Sequence, residues 1–145
     1  NNCARVAIIN LPDEPGVAFK VFSLLAKHKV NIDIILQSVG QKGRKSITFT
    51  IPEDKAEEVG KILNANKEGL DFEDVSINTT VAKVSIVGAG MASNPGVAAM
   101  MFEALASAGI NIRMISTSEI KISVLINEAD SEKAVRAIHQ KFFNM

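Results

Sequence analysis

The stretch Asp13-Glu14-Pro15-Gly16-Val17 returns eighty residues later as Ser93-Asn94-Pro95-Gly96-Val97. Aligning Pro15 to Ile35 with Pro95 to Ile115 without a gap gives 10 identities in 21 positions. Average residue usage would give roughly one or two identities by chance. The 145-residue chain is therefore an internal duplication, and we expect two small units of about 70 residues each.

Each copy of this stretch opens a predicted amphipathic helix. Apolar residues recur at i, i+3, i+4 and i+7, which places them in one stripe on a helix. The stripe consists of Ala18, Val21, Phe22 and Leu25 in the first copy and of Ala98, Met101, Phe102 and Leu105 in the second. Gly109 is suited to the left-handed residue that ends a helix, whereas the first copy has Lys29 at the corresponding place.

Strand patterns complete each unit. Val6 to Ile9, Ile32 to Val39, Ser46 to Ile51 and Val75 to Thr79 predict strands, so the first unit has the order β-α-β-β-α-β, which is the ferredoxin-like motif. The second unit follows the same order but ends one strand short. We expect an α+β fold with two antiparallel sheets and the helices on one face of each.

The predicted domains are residues 6–81 and 82–145. An exposed sheet edge is normally covered, so the second unit requires a fourth strand. This strand would come from residues before Val6, from sequence further upstream, or from another chain.

Composition excludes several classes of function. Sixteen basic residues balance sixteen acidic ones, so no net field attracts nucleic acid or an anionic membrane. The one cysteine cannot form an internal disulfide, and His28 and His139 lie in different repeats without metal-ligand spacing. We expect a cytoplasmic protein without a metal, a signal peptide or a membrane span.

Catalytic motifs are missing from the sequence. It has no phosphate-binding Gly-Lys-Ser, no nucleophile elbow and no Ser, His, Asp set, so we expect no catalytic site in this segment. The stretch Gly88 to Ser93 resembles a dinucleotide fingerprint, but Ser93 replaces the third glycine and Arg113 stands where an acid is expected. We interpret it as a flexible glycine loop.

The two strand-to-helix turns are the candidate binding sites. Each presents free N–H groups and the positive end of a helix dipole, which favour a carboxylate. Asp13 and Glu14 beside the first turn could pair with an ammonium group, so a zwitterionic amino acid is a suitable ligand.

Simpler interpretations of these residues remain open. Asp13 and Asn94 could serve merely as helix caps, and Asn31 and Asn111 could merely end helices. Gln37 could be a solvated strand residue, and a solvated turn is the simplest interpretation of Lys42, Arg44 and Lys45.

Three motifs resemble a known family. They are the tandem Pro-Gly-Val units, the run Asn-Ile-Asp-Ile-Ile-Leu-Gln at 31 to 37, and Val-Gly-Ala-Gly-Met at 87 to 91 combined with Ile-Ser-Thr-Ser-Glu at 115 to 119. Together they resemble the regulatory region of aspartate kinase, a pair of ACT domains, and this resemblance covers nearly the whole chain.

The resemblance implies a feedback sensor for lysine, threonine or both. It also implies a homodimer formed through ACT domains, with effectors at the ACT interfaces. A catalytic amino-acid-kinase domain or subunit would hold ATP and magnesium, so no cofactor is expected in this chain. In this family, sequence just before the first unit supplies the last strand of the second.

The resemblance also implies effector-binding positions. One pocket would use Asp13, Pro15, Gly16, Val17, Ala18 and Gln37, with Asn111, Ile112, Ser118 and Glu119 opposite them. A related pocket would use Asn31, Ile32, Asp33, Asn94, Pro95, Gly96 and Val97. Because Ser93 corresponds to Asp13 and Arg113 to Asp33, the two pockets should differ in ligand or occupancy.

Three other functions are alternatives for a chain with this pattern. The regulatory module of another amino-acid pathway enzyme would share the fold and differ in ligand. A ferredoxin-like nucleic-acid-binding module needs aromatic residues on its sheet, whereas the chain has no Trp or Tyr and only seven Phe, which fit the core. An acylphosphatase-like enzyme needs Arg and Asn in one loop, whereas Asn31 and Arg113 lie in different units.

Overall fold

The chain folds into two compact units. A computed structural model describes residues 2–88 and 95–143. One unit comprises residues 2–79 and the other runs from residue 80 onward. The strand β4 (Asp74–Val87) contributes its first residues to the first unit and the remainder to the second.

The first unit carries two main helices on one face of its sheet. The strands follow the order β2-β3-β1-β4, and β3 pairs antiparallel with both β1 and β2. Its other elements are β1 (Asn2–Pro12), α1 (Val17–Lys27), β2 (Ile35–Val39), β3 (Arg44–Pro52), α2 (Ala56–Ala65) and the short α3 (Lys67–Leu70).

Alternating residues of β1 and β3 form the sheet side of the first core. Val6 and Ile8 from β1 are fully buried together with Phe49 from β3. The stripe of α1 and one side of α2 pack into the same cluster. Phe49 meets the ring of Phe22 edge-on, with 5.4 Å between the ring centroids. Apolar burial on one face therefore holds both helices to this sheet.

The second unit repeats this arrangement. Its strands follow the order β4-β6-β5, and both pairings are antiparallel. Met101 and Leu105 of the first helix share a core with Ile138 of the second. Its other elements are α4 (Pro95–Ser107), β5 (Met114–Thr117), β6 (Lys121–Asn127) and α5 (Ser131–Phe143).

The predicted ferredoxin-like order is confirmed in both units. Within the described residues the second unit has three strands, as the sequence predicts. Cys3, Ala4 and Arg5 pair with β3 and so belong to the sheet of the first unit. A fourth strand for the second unit from elsewhere remains a prediction.

A groove lies where such a strand would pair. It runs between Val84–Val87 of β4 and helix α5, with a volume of about 360 Å³, and Val135, Ile138 and Phe142 contribute apolar side chains to it. The helices in the described part of the chain are too short or too polar to cross a membrane.

Both repeats end their first helix with the same hydrogen-bond pattern. In the first copy Lys29 N–H donates to Ala26 O at 2.9 Å, and Val30 N–H donates to Leu25 O at 3.0 Å. In the second copy Gly109 and Ile110 make the matching bonds. This is a Schellman motif, whose C′ residue is left-handed. Lys29 has φ 59° and Gly109 has φ 74°, so a lysine adopts a conformation that favours glycine.

Lys29→Gly should therefore stabilise the first unit. Removing the Cβ relieves the left-handed strain, and we expect a gain of about 1 kcal/mol in the free energy of unfolding. Gly109→Ala should cost a similar amount at the matching place, where nothing lies within 4 Å of an added Cβ and backbone strain is the main term. Urea denaturation of both variants measures the two effects, and a destabilised Lys29→Gly would contradict this explanation.

Candidate functional site

The turn between β1 and α1 is exposed and open. Asp13, Glu14, Pro15 and Gly16 are exposed, whereas Val17 is buried at the start of α1. Gly16 is the N-cap residue, with φ 88°, and no side chain caps this helix. The interpretation that Asp13 caps α1 is therefore wrong, and its carboxylate is available for another role.

A β-bulge directs the chain into this turn. The register between β1 and β3 shifts between Ile8 and Leu11, and Asn10 within the shift is left-handed at φ 59°. Arg44 Nη2 donates to Asn10 O at 2.5 Å and to Asp71 O at 2.8 Å. Arg44 Nη1 also pairs with Asp71 Oδ2 at 3.2 Å. One guanidinium thus fixes the bulge that precedes Asp13.

Asp13 is tied to the β2–β3 hairpin. Its N–H donates to Gly43 O at 2.8 Å, and its Oδ1 lies 3.8 Å from Lys45 Nζ. The Lys45 side chain is only 11% exposed, while that of Asp13 is 42% exposed. The interpretation of Arg44 and Lys45 as a solvated turn is wrong, because both contact the segment that leads to Asp13 or Asp13 itself. Lys42 is exposed.

Gln37 lies on the same face of the hairpin as Lys45. Gln37 is opposite Ile47, and Val39 is opposite Lys45. Cross-strand partners share a face, as do residues two apart on a strand. Ile47 is buried in the helix-side core, so Gln37 is an exposed edge residue on the face that carries α1. Gln37 and Lys45 thus lie on one face of the hairpin, and Lys45 contacts Asp13.

The loop between α1 and β2 lies towards the other end of the hairpin. Asp33 N–H donates to Thr50 O at 3.1 Å, and Ile34 N–H donates to the buried Thr50 Oγ1 at 3.0 Å. Asn31 and Asp33 are exposed, and Ile32 packs against the first core. Val39, at the far end of β2 from Asp33, lies opposite Lys45, which contacts Asp13. About 20 Å of extended chain therefore separates Asp33 from the end of the hairpin where Asp13 lies. The first unit therefore presents two separate candidate regions.

The second unit builds its corresponding loop in the same way. Arg113 N–H donates to Leu125 O at 2.6 Å, and Arg113 Nε donates to Asn127 Oδ1 at 3.2 Å. Asn111 before it is exposed, and Ile112 packs against the second core. Arg113 thus places a cation where the first repeat has Asp33, so the two loops differ in charge.

The remaining candidate residues of the second unit lie in the β5–β6 turn and at the start of α4. Ser118 N–H donates to Lys121 O at 2.8 Å across the tight β5–β6 turn, and both Ser118 and Glu119 are exposed. Gly96 is exposed in the first turn of α4, which begins at Pro95, and Val97 packs against the second core. Asn94 and the glycine loop at 89–93 lie outside the described residues.

Metal-binding side chains do not cluster in the described part of the chain. Within residues 2–88 and 95–143, no group of three or more His, Cys, Asp or Glu side chains could hold an ion.

Comparison with known proteins identifies the family. Residues 5–68 and 84–142 each match a family model of the ACT domain. The regulatory subunit of aspartate kinase from Thermus thermophilus, in its ligand-free form, is 43% identical. Its structure superposes with a TM-score of 0.90, covering 97% of this chain and 93% of that one. The chain belongs to the aspartokinase family.

Other members of the aspartokinase family agree. A structure of aspartokinase alpha and beta subunits is 41% identical and superposes with a TM-score of 0.89, covering 99% of this chain and 94% of that one. An aspartokinase of Mycolicibacterium smegmatis is 48% identical over 141 residues, which is 96% of this chain and 34% of that protein. The chain thus spans about a third of such relatives and corresponds to their regulatory ACT region, apart from the larger catalytic part.

Sequence reasoning missed three residues of this aspartokinase region. Lys45, Arg44 and Thr50 were not among the predicted site residues, yet they hold Asp13, the bulge and the α1–β2 loop. The one available signal was that Lys45 continues the alternation of Ile47 and Phe49 on β3, which predicts a side chain on the core face.

Proposed function

We propose that the chain is the amino-acid sensor of an aspartate kinase. It binds lysine, threonine or both and passes this binding to a catalytic domain or subunit, which carries ATP and magnesium. The result is feedback inhibition of aspartate phosphorylation in the cytoplasm. The observation that carries the proposal is the exposed Asp13 carboxylate beside the open N-terminal turn of α1.

The charges of this turn suit a zwitterion. The first turn of a helix leaves backbone N–H groups without intrahelical partners, and its dipole favours a carboxylate. Asp13 offers an anion for the ammonium group of the same ligand. Gln37 supplies an amide on the same face of the hairpin. Backbone donors and one acid recognise the part common to all amino acids, so further residues must select the side chain.

The second unit is proposed to bind differently. Its loop carries Arg113 in place of Asp33, and its turn carries Ser93 in place of Asp13. Without an acid at either place, an ammonium group loses its charged partner. The two units should therefore differ in ligand or occupancy.

We further propose that the chain forms a two-fold dimer that effector strengthens. Ile35, Leu36 and Val39 on the edge strand β2 are 47%, 43% and 79% exposed. Apolar residues on an unpaired edge are normally covered. A ligand that favours the dimer adds its binding free energy to assembly.

Thermal unfolding with each of the twenty amino acids tests this function. A ligand at one hundred times its Kd stabilises the folded state by about 2.7 kcal/mol, so lysine or threonine should raise the Tm by several degrees. Light scattering on the same samples should show a dimer with the active ligand. A shift with only a branched or aromatic amino acid would assign the module to another pathway. No shift with any amino acid, and a monomer throughout, would contradict the proposal.

A further inference from the structure

Lys45 lies beside Asp13, the acid proposed to bind the effector, and its side chain is unusually buried for a lysine. A lysine normally buries its methylene stem and extends its ammonium into water. Here the whole Lys45 side chain is only 11% exposed, and its Nζ lies 3.8 Å from Asp13 Oδ1. Strand pairing fixes this position, because Lys45 lies between Leu11 of β1 and Val39 of β2. The fold therefore holds a cation next to Asp13.

The Lys45–Asp13 ion pair is long, and its carboxylate is partly exposed to solvent. The separation of 3.8 Å exceeds the usual range for a charge-assisted hydrogen bond, about 2.7–2.9 Å. The Asp13 side chain is 42% exposed, so another cation can approach the carboxylate from solvent. A ligand ammonium in hydrogen-bond contact with Asp13 would lie within a few ångströms of the Lys45 ammonium, and the two like charges would repel.

We propose that Lys45 competes with the effector's ammonium for Asp13 and thereby sets the effector affinity. This inference rests on the proposed function, since it requires Asp13 to bind the ligand. Lys45 acts as an internal substitute that neutralises Asp13 when no amino acid is bound. It lowers the sensitivity of the module, so that only a sufficient concentration of amino acid displaces it.

Calorimetric titration of Lys45→Met with lysine and threonine tests the inference. Removing the competing cation should tighten binding of whichever amino acid the parent chain binds by about two- to fivefold, the range expected for a partly exposed ion pair. In an Asp13→Asn background, Lys45→Met should leave the affinity unchanged, because the acid for which the cations compete is gone. A general structural effect of Lys45 would appear in both backgrounds.

Lys55→Met is the matched control. Lys55 also pairs with one acid, Glu58, with 3.6 Å between Nζ and Oε1, and it lies at the start of α2. Its removal should not change effector affinity. Circular dichroism confirms folding, and Lys45→Gln serves in place of Lys45→Met if the latter is unfolded.

Two results would overturn the inference. Unchanged affinity in the folded Lys45 variant would remove Lys45 from the site. Weaker binding would mean that Lys45 holds the effector's carboxylate and assists the ligand. Either result leaves the proposed sensor function intact, since the ligand still binds the parent chain. Failure of the parent chain to bind lysine or threonine would instead overturn both proposals.

Discussion

Asp13→Ala should weaken effector binding by thirtyfold or more. An ammonium that pairs with a carboxylate in a desolvated site loses about 2–5 kcal/mol when the acid is truncated. Folding stability should change little. Gly16 and not Asp13 occupies the N-cap of α1, and the partly exposed pair with Lys45 contributes at most about 1 kcal/mol. Titration with lysine and threonine gives the affinity, and thermal unfolding gives the stability.

Ser93→Ala is the control for Asp13→Ala. Ser93 occupies the corresponding place in the second repeat, so its truncation removes a hydroxyl and no charge. We expect it to have the smaller effect on affinity. An Asp13→Ala protein with unchanged affinity and a lowered Tm would show that Asp13 has a structural role only.

Phe49→Ala should destabilise the first unit severely. Phe49 is fully buried in the first core and packs edge-on against Phe22. Truncation of a buried Phe costs about 3–5 kcal/mol through lost transfer energy and the cavity left behind. Small domains have only about 5–15 kcal/mol of total stability, so this loss is a large share of it. Urea denaturation followed by circular dichroism measures the loss.

Phe19→Ala provides a matched comparison on α1. The Phe19 side chain is 75% exposed, so its truncation should change the free energy of unfolding by no more than about 0.5 kcal/mol. Equal effects of Phe49→Ala and Phe19→Ala would contradict the assignment of the first core.

The sequence predicted the fold because two independent patterns agree. The repeat around Pro15 and Pro95 defines two units, and helical and alternating apolar spacing defines the elements within each. The spacing pattern reports burial, because apolar residues recur at the period of the helix or strand that buries them. The prediction that Gly109 ends its helix follows from its freedom at positive φ, and the structure confirms it. The same motif at Lys29, with φ 59°, shows that a residue other than glycine can also end the helix in this way.

The contacts of the candidate site were harder to predict. The simplest interpretation of Lys42, Arg44 and Lys45 from the sequence is a solvated turn, because charged residues are mostly exposed. Burial of Lys45 and the contacts of Arg44 depend on the pairing of β3 with β1 and on the bulge at Asn10, which sequence spacing does not show. The capping role of Asp13 failed because Gly16 adopts a left-handed conformation three residues later. The effector roles of the candidate residues, from Asp13 to Glu119, remain predictions.

Calorimetric titration of the chain with lysine, with threonine and with both together tests the central claim most directly. We expect at least one of the two to bind with measurable heat. If the two units take different ligands, the second amino acid should still bind when the first is saturating. Absence of binding by both amino acids to a chain that circular dichroism shows to be folded would contradict the assignment of this ACT pair as a lysine or threonine sensor.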